Sequence, residues 1–146
     1  MKTITSNVGE FIKKSLSHQE EYATDFKGKK IFVHPEVLSP EYSHSSEFII
    51  ENWDIESGMT VLDMGTGTGV LALFASFAGA KVVAVDINQF AVKIAKKNFD
   101  LHQVSNLVEV VESDLFEKII PQKFDRIVFN APYWNKKADA DHPLTL

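Results

Sequence analysis

The run Val61-Leu62-Asp63-Met64-Gly65-Thr66-Gly67-Thr68-Gly69-Val70-Leu71 constrains this chain more than any other stretch. It starts as a short apolar segment with an acid near its end. It then breaks at three alternating glycines and resumes as an apolar segment of helical length. That order is strand, tight loop and helix start, a place where backbone N–H groups and the helix dipole converge. Glycines there let a ligand approach the backbone with no Cβ in the way. The pattern announces a nucleotide-like ligand without naming it.

Two ligands compete for such a loop. A dinucleotide site wants G-x-G-x-x-G, with the third glycine packing helix on strand and the dipole holding a pyrophosphate. Here the spacing is G-x-G-x-G, and Val70 stands where that third glycine belongs. Asp63 also puts negative charge where a pyrophosphate would sit, whereas a cationic amino-acid cofactor welcomes it. The set Asp63, Gly65, Thr66, Gly67 and Gly69 therefore suits S-adenosylmethionine better than NAD. A glycine-rich turn with no ligand is the bland alternative.

A chain of 146 residues with 45% apolar content suits one domain with a real core. No run approaches the length of a membrane span, and residues 1–22 lack the apolar core of a signal peptide, so a cytoplasmic protein is expected. Cysteine is absent, which excludes disulfides and thiolate metal sites. The formal charge of −5 gives no global attraction to nucleic acid. His18, His34, His44, His102 and His142 lack the spacing of a helical metal pair, and no metal is expected. Lys93, Lys96 and Lys97 read as the solvated face of a helix.

Asn7 with Glu10, followed by Val8, Phe11, Ile12 and Leu16, predicts a helix over 7–21. Residues 1–29 are read as this helix and a linker, and 30–146 as the ligand-binding domain. A short strand is expected at 30–34, irregular chain from Pro35 to Ser46, and a helix at 47–53. Strand and helix then alternate as in a parallel α/β sheet: strand 60–64, helix 70–78, strand 81–86, a helix capped by Asn88, strand 107–112, a short turn or helical segment near 114–119, and strand 124–129. Phe90, Ala91, Ile94, Ala95 and Phe99 form the inward stripe of the second helix. Right-handed crossovers bring the C-terminal strand ends to one edge, where ligands bind.

Each strand end at that edge carries apt chemistry. Asp86 can accept hydrogen bonds from both ribose hydroxyls, an acid that a dinucleotide site also uses. Asp114 can accept from an adenine amino group while the Leu115 N–H donates to a ring nitrogen, with Ile87 and Leu115 as apolar walls. A helix N-cap is the competing role for Ser113 or Asp114. The last strand ends in Asn130-Ala131-Pro132-Tyr133. A side-chain amide oxygen and a backbone carbonyl there make a two-acceptor clamp for a planar NH₂ group. Pro132 stiffens it, and the Tyr133 ring offers a stacking face. Orienting the nitrogen is most of what a methyl transfer demands.

At these residues the chain resembles the class I S-adenosylmethionine-dependent methyltransferases. Within them it is similar to the small-domain group bearing an (Asn/Asp)-Pro-Pro-(Tyr/Phe) tetrapeptide, which includes release-factor glutamine and adenine-N6 methyltransferases. The likeness spans about residues 30–135 and includes the lead-in Val33-His34-Pro35-Glu36-Val37-Leu38-Ser39-Pro40. It implies a Rossmann-like, doubly wound, mostly parallel sheet with helices on both faces. It also implies that Asp63, Gly65 and Gly67 hold the methionine end of the cofactor, Asp86 the ribose and Asp114 the adenine. Asn130 and Ala131 would grip the target amine, with Tyr133 stacking. The first proline of the tetrapeptide is Ala131 here, whose carbonyl still accepts.

The family sheet has seven strands, of which this chain supplies the first four. The last would then be an open apolar edge. The expectation is a shortened chain, a natural fragment, or an edge covered by another chain or a second copy. The reaction implied is N-methylation of an amide or exocyclic amine on a protein, nucleic acid or small molecule, with a protein glutamine-like amide favoured. The rivals are an adenine-N6 methyltransferase on nucleic acid, a non-catalytic cofactor-binding module completed by a partner, and an NAD-dependent dehydrogenase.

Overall fold

The computed structural model of the chain describes residues 14, 17–42 and 44–131. Its elements are β1 (Tyr22–Phe26), β2 (Lys29–Val33), a 3-10 turn (Pro40–Tyr42), α1 (His44–Asn52), β3 (Thr60–Met64), α2 (Val70–Phe77), β4 (Lys81–Asp86), α3 (Gln89–Leu101), β5 (Val108–Glu112) and β6 (Arg126–Phe129). Strands β3 to β6 form one parallel sheet in the order β5-β4-β3-β6, the Rossmann-like arrangement expected. Strands β3 and β6 are aligned from Val61↔Arg126 to Met64↔Phe129, which sets Asn130 beside Gly65 at the C-terminal edge.

Alternation along the strands sorts side chains to two faces. Val61, Val82, Ala84 and Val108 pack with Leu71, Ala75, Ala95 and Phe99 of α2 and α3, and with Ile49 and Ile50 of α1. Leu62, Met64, Val83 and Val85 face the other way, against Val111, Ile119 and Phe124. Among the described residues, the helices thus stand over one face. The 113–125 connection covers the other, where a second helical layer was expected. None of the described helices is long and apolar enough to cross a membrane.

Residues 22–29, expected to be linker, instead form a hairpin arm: β1 pairs antiparallel with β2. Lys27 (φ 51) and Gly28 (φ 75) make the two-residue turn, both in the left-handed region that such tight hairpins require. The Asp25 carboxylate accepts the Gly28 N–H at 3.1 Å and steadies that turn. The helix expected over 7–21 lies mostly outside the described residues, and His18–Glu21 are not helical. Helix α1 starts three residues earlier than expected, because its first turn, His44-Ser45-Ser46, is polar and carries no apolar period. Strand β6 starts at Arg126, not 124; Asp125 just before it is used otherwise, its carboxylate accepting the Thr60 N–H at 2.7 Å.

The hairpin is fastened to the sheet by one buried amide. Asn98 lies on the inward face of α3 with no exposed surface. Its Oδ1 accepts the Phe32 N–H at 2.8 Å, and its Nδ2 donates to the carbonyls of Phe32 and Thr68, both at 2.9 Å. Strand β2, helix α3 and the glycine loop therefore share one side chain. Asn98→Ala strands these buried backbone groups and is expected to cost about 3–5 kcal/mol, since each unsatisfied group costs about 1–3 kcal/mol. Urea unfolding monitored by circular dichroism checks this; a change below about 1 kcal/mol would mean that the amide fastens nothing.

Candidate functional site

The three glycines do different work. Gly65 (φ 70), Gly67 (φ 56) and Gly69 (φ 85) all sit in the left-handed region. A Cβ on Gly69 would lie 2.7 Å from the Phe99 ring, so this glycine lets α2 pack on α3. It faces inward, contrary to its expected place in a ligand cradle, and takes the packing role of the third glycine in dinucleotide loops. A Cβ on Gly67 would meet only Val37 Cγ1 at 3.8 Å, and one on Gly65 only the Phe129 ring at 3.4 Å. These two glycines form a cradle with Val37 and Phe129 at its rims. Thr66 also turns inward: its N–H donates to the Val85 carbonyl at 2.8 Å and its hydroxyl to Asp63 at 2.7 Å.

Asp63 lies beneath the loop, only 2% exposed, and does not stand in an open cleft. Its Oδ2 accepts from the Thr66 hydroxyl and from the Ala72 N–H at 3.1 Å, which joins the loop to the first turn of α2. Its Oδ1 is buried without a partner. Burial pushes the carboxyl up to about 7, against the two hydrogen bonds that pull it down, and the nearby charge of Asp86 adds to the rise. A buried acceptor with no hydrogen-bond partner, under a cradle lacking two Cβ atoms, fits the ammonium group of the amino-acid end of S-adenosylmethionine.

Asp86 is half-buried at the end of β4. Its Oδ2 accepts the Gly67 N–H at 2.8 Å and its Oδ1 the Asn88 N–H at 2.9 Å. Each carboxylate oxygen keeps acceptor capacity for a hydroxyl. Asn88 caps α3 as expected, accepting from the Phe90 N–H at 2.9 Å. Its Nδ2 also donates to the Glu36 carbonyl at 3.0 Å, which draws the 34–37 segment over the loop. His34 stacks on Phe90 there, with ring centroids 4.4 Å apart, and Val37 is buried against Ala91 and Ile94.

Of the two residues after β5, Ser113 is buried and its hydroxyl accepts the Lys118 N–H at 2.9 Å, which closes a run of turns; no helix follows for either residue to cap. Asp114 is exposed beside it. Leu115 has φ 46, a conformation that costs a non-glycine residue about 1–3 kcal/mol and that the surrounding turn must impose. Ile87 and Leu115 are 44% and 52% exposed, open apolar surface at the same edge.

Asn130 follows β6 and reaches across to α1. Its Nδ2 donates to Ser45 Oγ at 2.9 Å and to Ser46 Oγ at 3.3 Å. Ala131 is half-buried next to it, while Pro132 and Tyr133 lie outside the described residues. Asp63, Gly65, Gly67, Asp86, Ile87, Asp114, Leu115 and Asn130 are thus gathered at one sheet edge. Sequence reasoning missed Asn98, Ser45 and Ser46. Asn98 left a signal, a lone polar residue at helical spacing from Ala91, Ile94 and Ala95; the two serines left none, because their partner is some 85 residues away.

A family model described as the methyltransferase small domain matches residues 29–144. A candidate protein N5-glutamine methyltransferase of Methanocaldococcus jannaschii is 41% identical over 110 residues, covering 75% of this chain and 53% of that protein. A release factor glutamine methyltransferase of Koribacter versatilis is 41% identical over 121 residues, 80% of this chain and 41% of the relative. The chain therefore spans about half, or less, of the length of these curated relatives. Among solved structures, Trm5b from Pyrococcus abyssi superposes with a TM-score of 0.67 at 27% identity, covering 79% of this chain and 34% of that one.

The raised Asp63 carboxyl has a signed consequence. With a folded-state value of about 7 against 3.8, the folded protein binds more protons than the unfolded chain between those limits. Stability from this group is therefore greatest at acid pH and declines as pH rises towards 7. Wild type is expected to lose stability relative to Asp63→Asn between pH 5 and 8. Thermal melts of both proteins across that range check it, and a pH-independent gap between them would show that Asp63 is ionised throughout.

Proposed function

The chain belongs to the methyltransferase small-domain family, and from that premise we propose that it methylates a nitrogen of an amide or exocyclic amine, using S-adenosylmethionine. When bound, this cofactor supplies an activated methyl group on a sulfonium. The unpartnered Asp63 Oδ1 and the Gly65–Gly67 cradle suit its methionine end. The remaining acceptor capacity of Asp86 suits the ribose hydroxyls, and Asp114, Leu115 and Ile87 suit the adenine. The buried carboxyl beneath the cradle gains a countercharge when a cation arrives, which favours its ionised form.

One observation carries the proposal: Asn130 and Ala131 stand at the end of β6, in register beside Gly65. An amide oxygen and a backbone carbonyl accept from the two N–H groups of a planar NH₂ and turn its lone pair toward the cofactor loop. Orientation of this kind supplies a large part of the acceleration for a displacement between two bound groups. No strong base is needed while the nitrogen loses its proton late.

The acceptor class best supported is a protein glutamine-type amide. The net charge of −5 does not favour a polyanion, and two relatives carry names for glutamine methylation. Asn130→Ala is expected to abolish nearly all turnover while cofactor affinity stays within about twofold. Tritium transfer from labelled S-adenosylmethionine to glutamine-containing peptides and to adenine-containing oligonucleotides, beside calorimetry, separates the two quantities. Equal loss of both would remove the clamp from the mechanism. Asp86→Ala is expected to weaken cofactor binding about ten- to a hundredfold, from hydrogen bonds to a charged acceptor of about 1.5–3 kcal/mol and a loosened Gly67. Unchanged affinity in the same calorimetry would place the ribose elsewhere.

A further inference from the structure

We propose that Ser45 and Ser46 are positioning residues, which hold the Asn130 amide against the first turn of α1 and so fix the plane in which its oxygen meets the methyl acceptor. The inference rests on the clamp reading above and adds to it the part played by α1.

The two ends of an asparagine amide have nearly the same shape and opposite chemistry: NH₂ donates and oxygen accepts. A clamp for a second NH₂ group works only with the oxygen end presented. With the nitrogen end presented, donor faces donor and the acceptor is repelled. Asn130 Nδ2 has two hydrogens, and two hydroxyl oxygens lie within reach of it, Ser45 Oγ at 2.9 Å and Ser46 Oγ at 3.3 Å. With both engaged, the oxygen end lies away from α1; because a hydroxyl donates as well as accepts, what the pair fixes is the place and plane of the amide. A single hydroxyl would restrain one N–H; two restrain the plane of the amide as well.

The hydroxyls can do this because α1 is itself held. Ser46 is 6% exposed, which leaves its side chain little choice of position. Ile49, Ile50 and Trp53 pack on the main core. From the other side, Lys27 in the hairpin turn pairs with Glu47 at 3.4 Å and Glu51 at 2.7 Å. The first turn of α1 is thereby a fixed wall against which the last residue of the β6 strand end is set. The acceptor clamp is built from two segments far apart in sequence, and the polar opening of α1 is one of them.

The test compares wild type with Ser45→Ala, Ser46→Ala, the double variant and the conservative Ser45→Thr. In ¹⁵N-labelled protein, the Asn130 side-chain NH₂ signals, assigned by their loss in Asn130→Asp, report the hold without any acceptor. They are expected to exchange with solvent about tenfold slower in wild type than in the double variant. With a peptide or oligonucleotide that wild type methylates, the double variant is expected to lose kcat about 30-fold while the Kd for S-adenosylmethionine and the melting midpoint stay put. Ser45→Thr keeps a hydroxyl and should retain most of kcat. Unchanged NH₂ exchange in the double variant overturns the hold, as does lost protection with kcat intact. A wild type that methylates nothing in the panel counts instead against the activity proposed above, whatever the exchange measurement shows.

Discussion

A carboxylate with almost no exposure to solvent holds the centre of this fold. Asp63, the penultimate residue of β3, points to the helical face, and one of its oxygens takes both the Thr66 hydroxyl and the Ala72 N–H. The chain must therefore curl back within three residues and enter α2 at once. Three left-handed glycines make that curl accessible. Burial opposes the charge on such a group, so the arrangement is costly unless a cation comes to share it. The same atom set that shapes the loop also leaves the loop unfinished, with Oδ1 unpartnered.

From that point the neighbouring strand completes the loop. Gly67 donates to Asp86 and Thr66 to the Val85 carbonyl, so β4 fixes the loop from the side while α3 fixes it from above through Phe99 and Asn98. Asp86 is thus a structural brace and a candidate ligand acceptor at once. A carboxylate already receiving two N–H donors is held in one rotamer, and a group held before the ligand arrives loses less freedom on binding.

How much of this was legible in the sequence depended on whether a partner is local. The strand–loop–helix around Asp63 was, because its apolar runs and glycines are contiguous. Asn88 as a cap was also legible, since its acceptor is used by Phe90 two residues on. The inward stripe of α3 followed from spacing alone. The hairpin arm was not, because Tyr22–Phe26 buries only Phe26 fully and its other residues carry no clean apolar alternation. The separate fates of Gly65, Gly67 and Gly69 were hidden too: three glycines in one motif look equivalent until Phe99 is found against the last. Thr66 and Gly69 were expected to face a ligand, and both are used internally.

The segment between β2 and α1 shows why the lead-in to such a sheet matters to its chemistry. Within a dozen residues it sets Val37 against the cradle at Gly67, binds Asn88 through the Glu36 carbonyl, and delivers Ser45 and Ser46 to Asn130. The Asn88 contact belongs to the strand end that carries Asp86, and the serine contact belongs to the strand end that carries Asn130, the proposed clamp. One stretch of chain therefore spans the proposed cofactor side and the proposed acceptor side of the edge. The two strands, β4 and β6, flank β3 and are linked only through its backbone ladders, which fix spacing along the strands and leave side-chain rotamers open. A segment laid across the edge restrains them, so Asn88 and Asn130, at opposite ends of the proposed site, are both held by residues that precede the sheet in sequence.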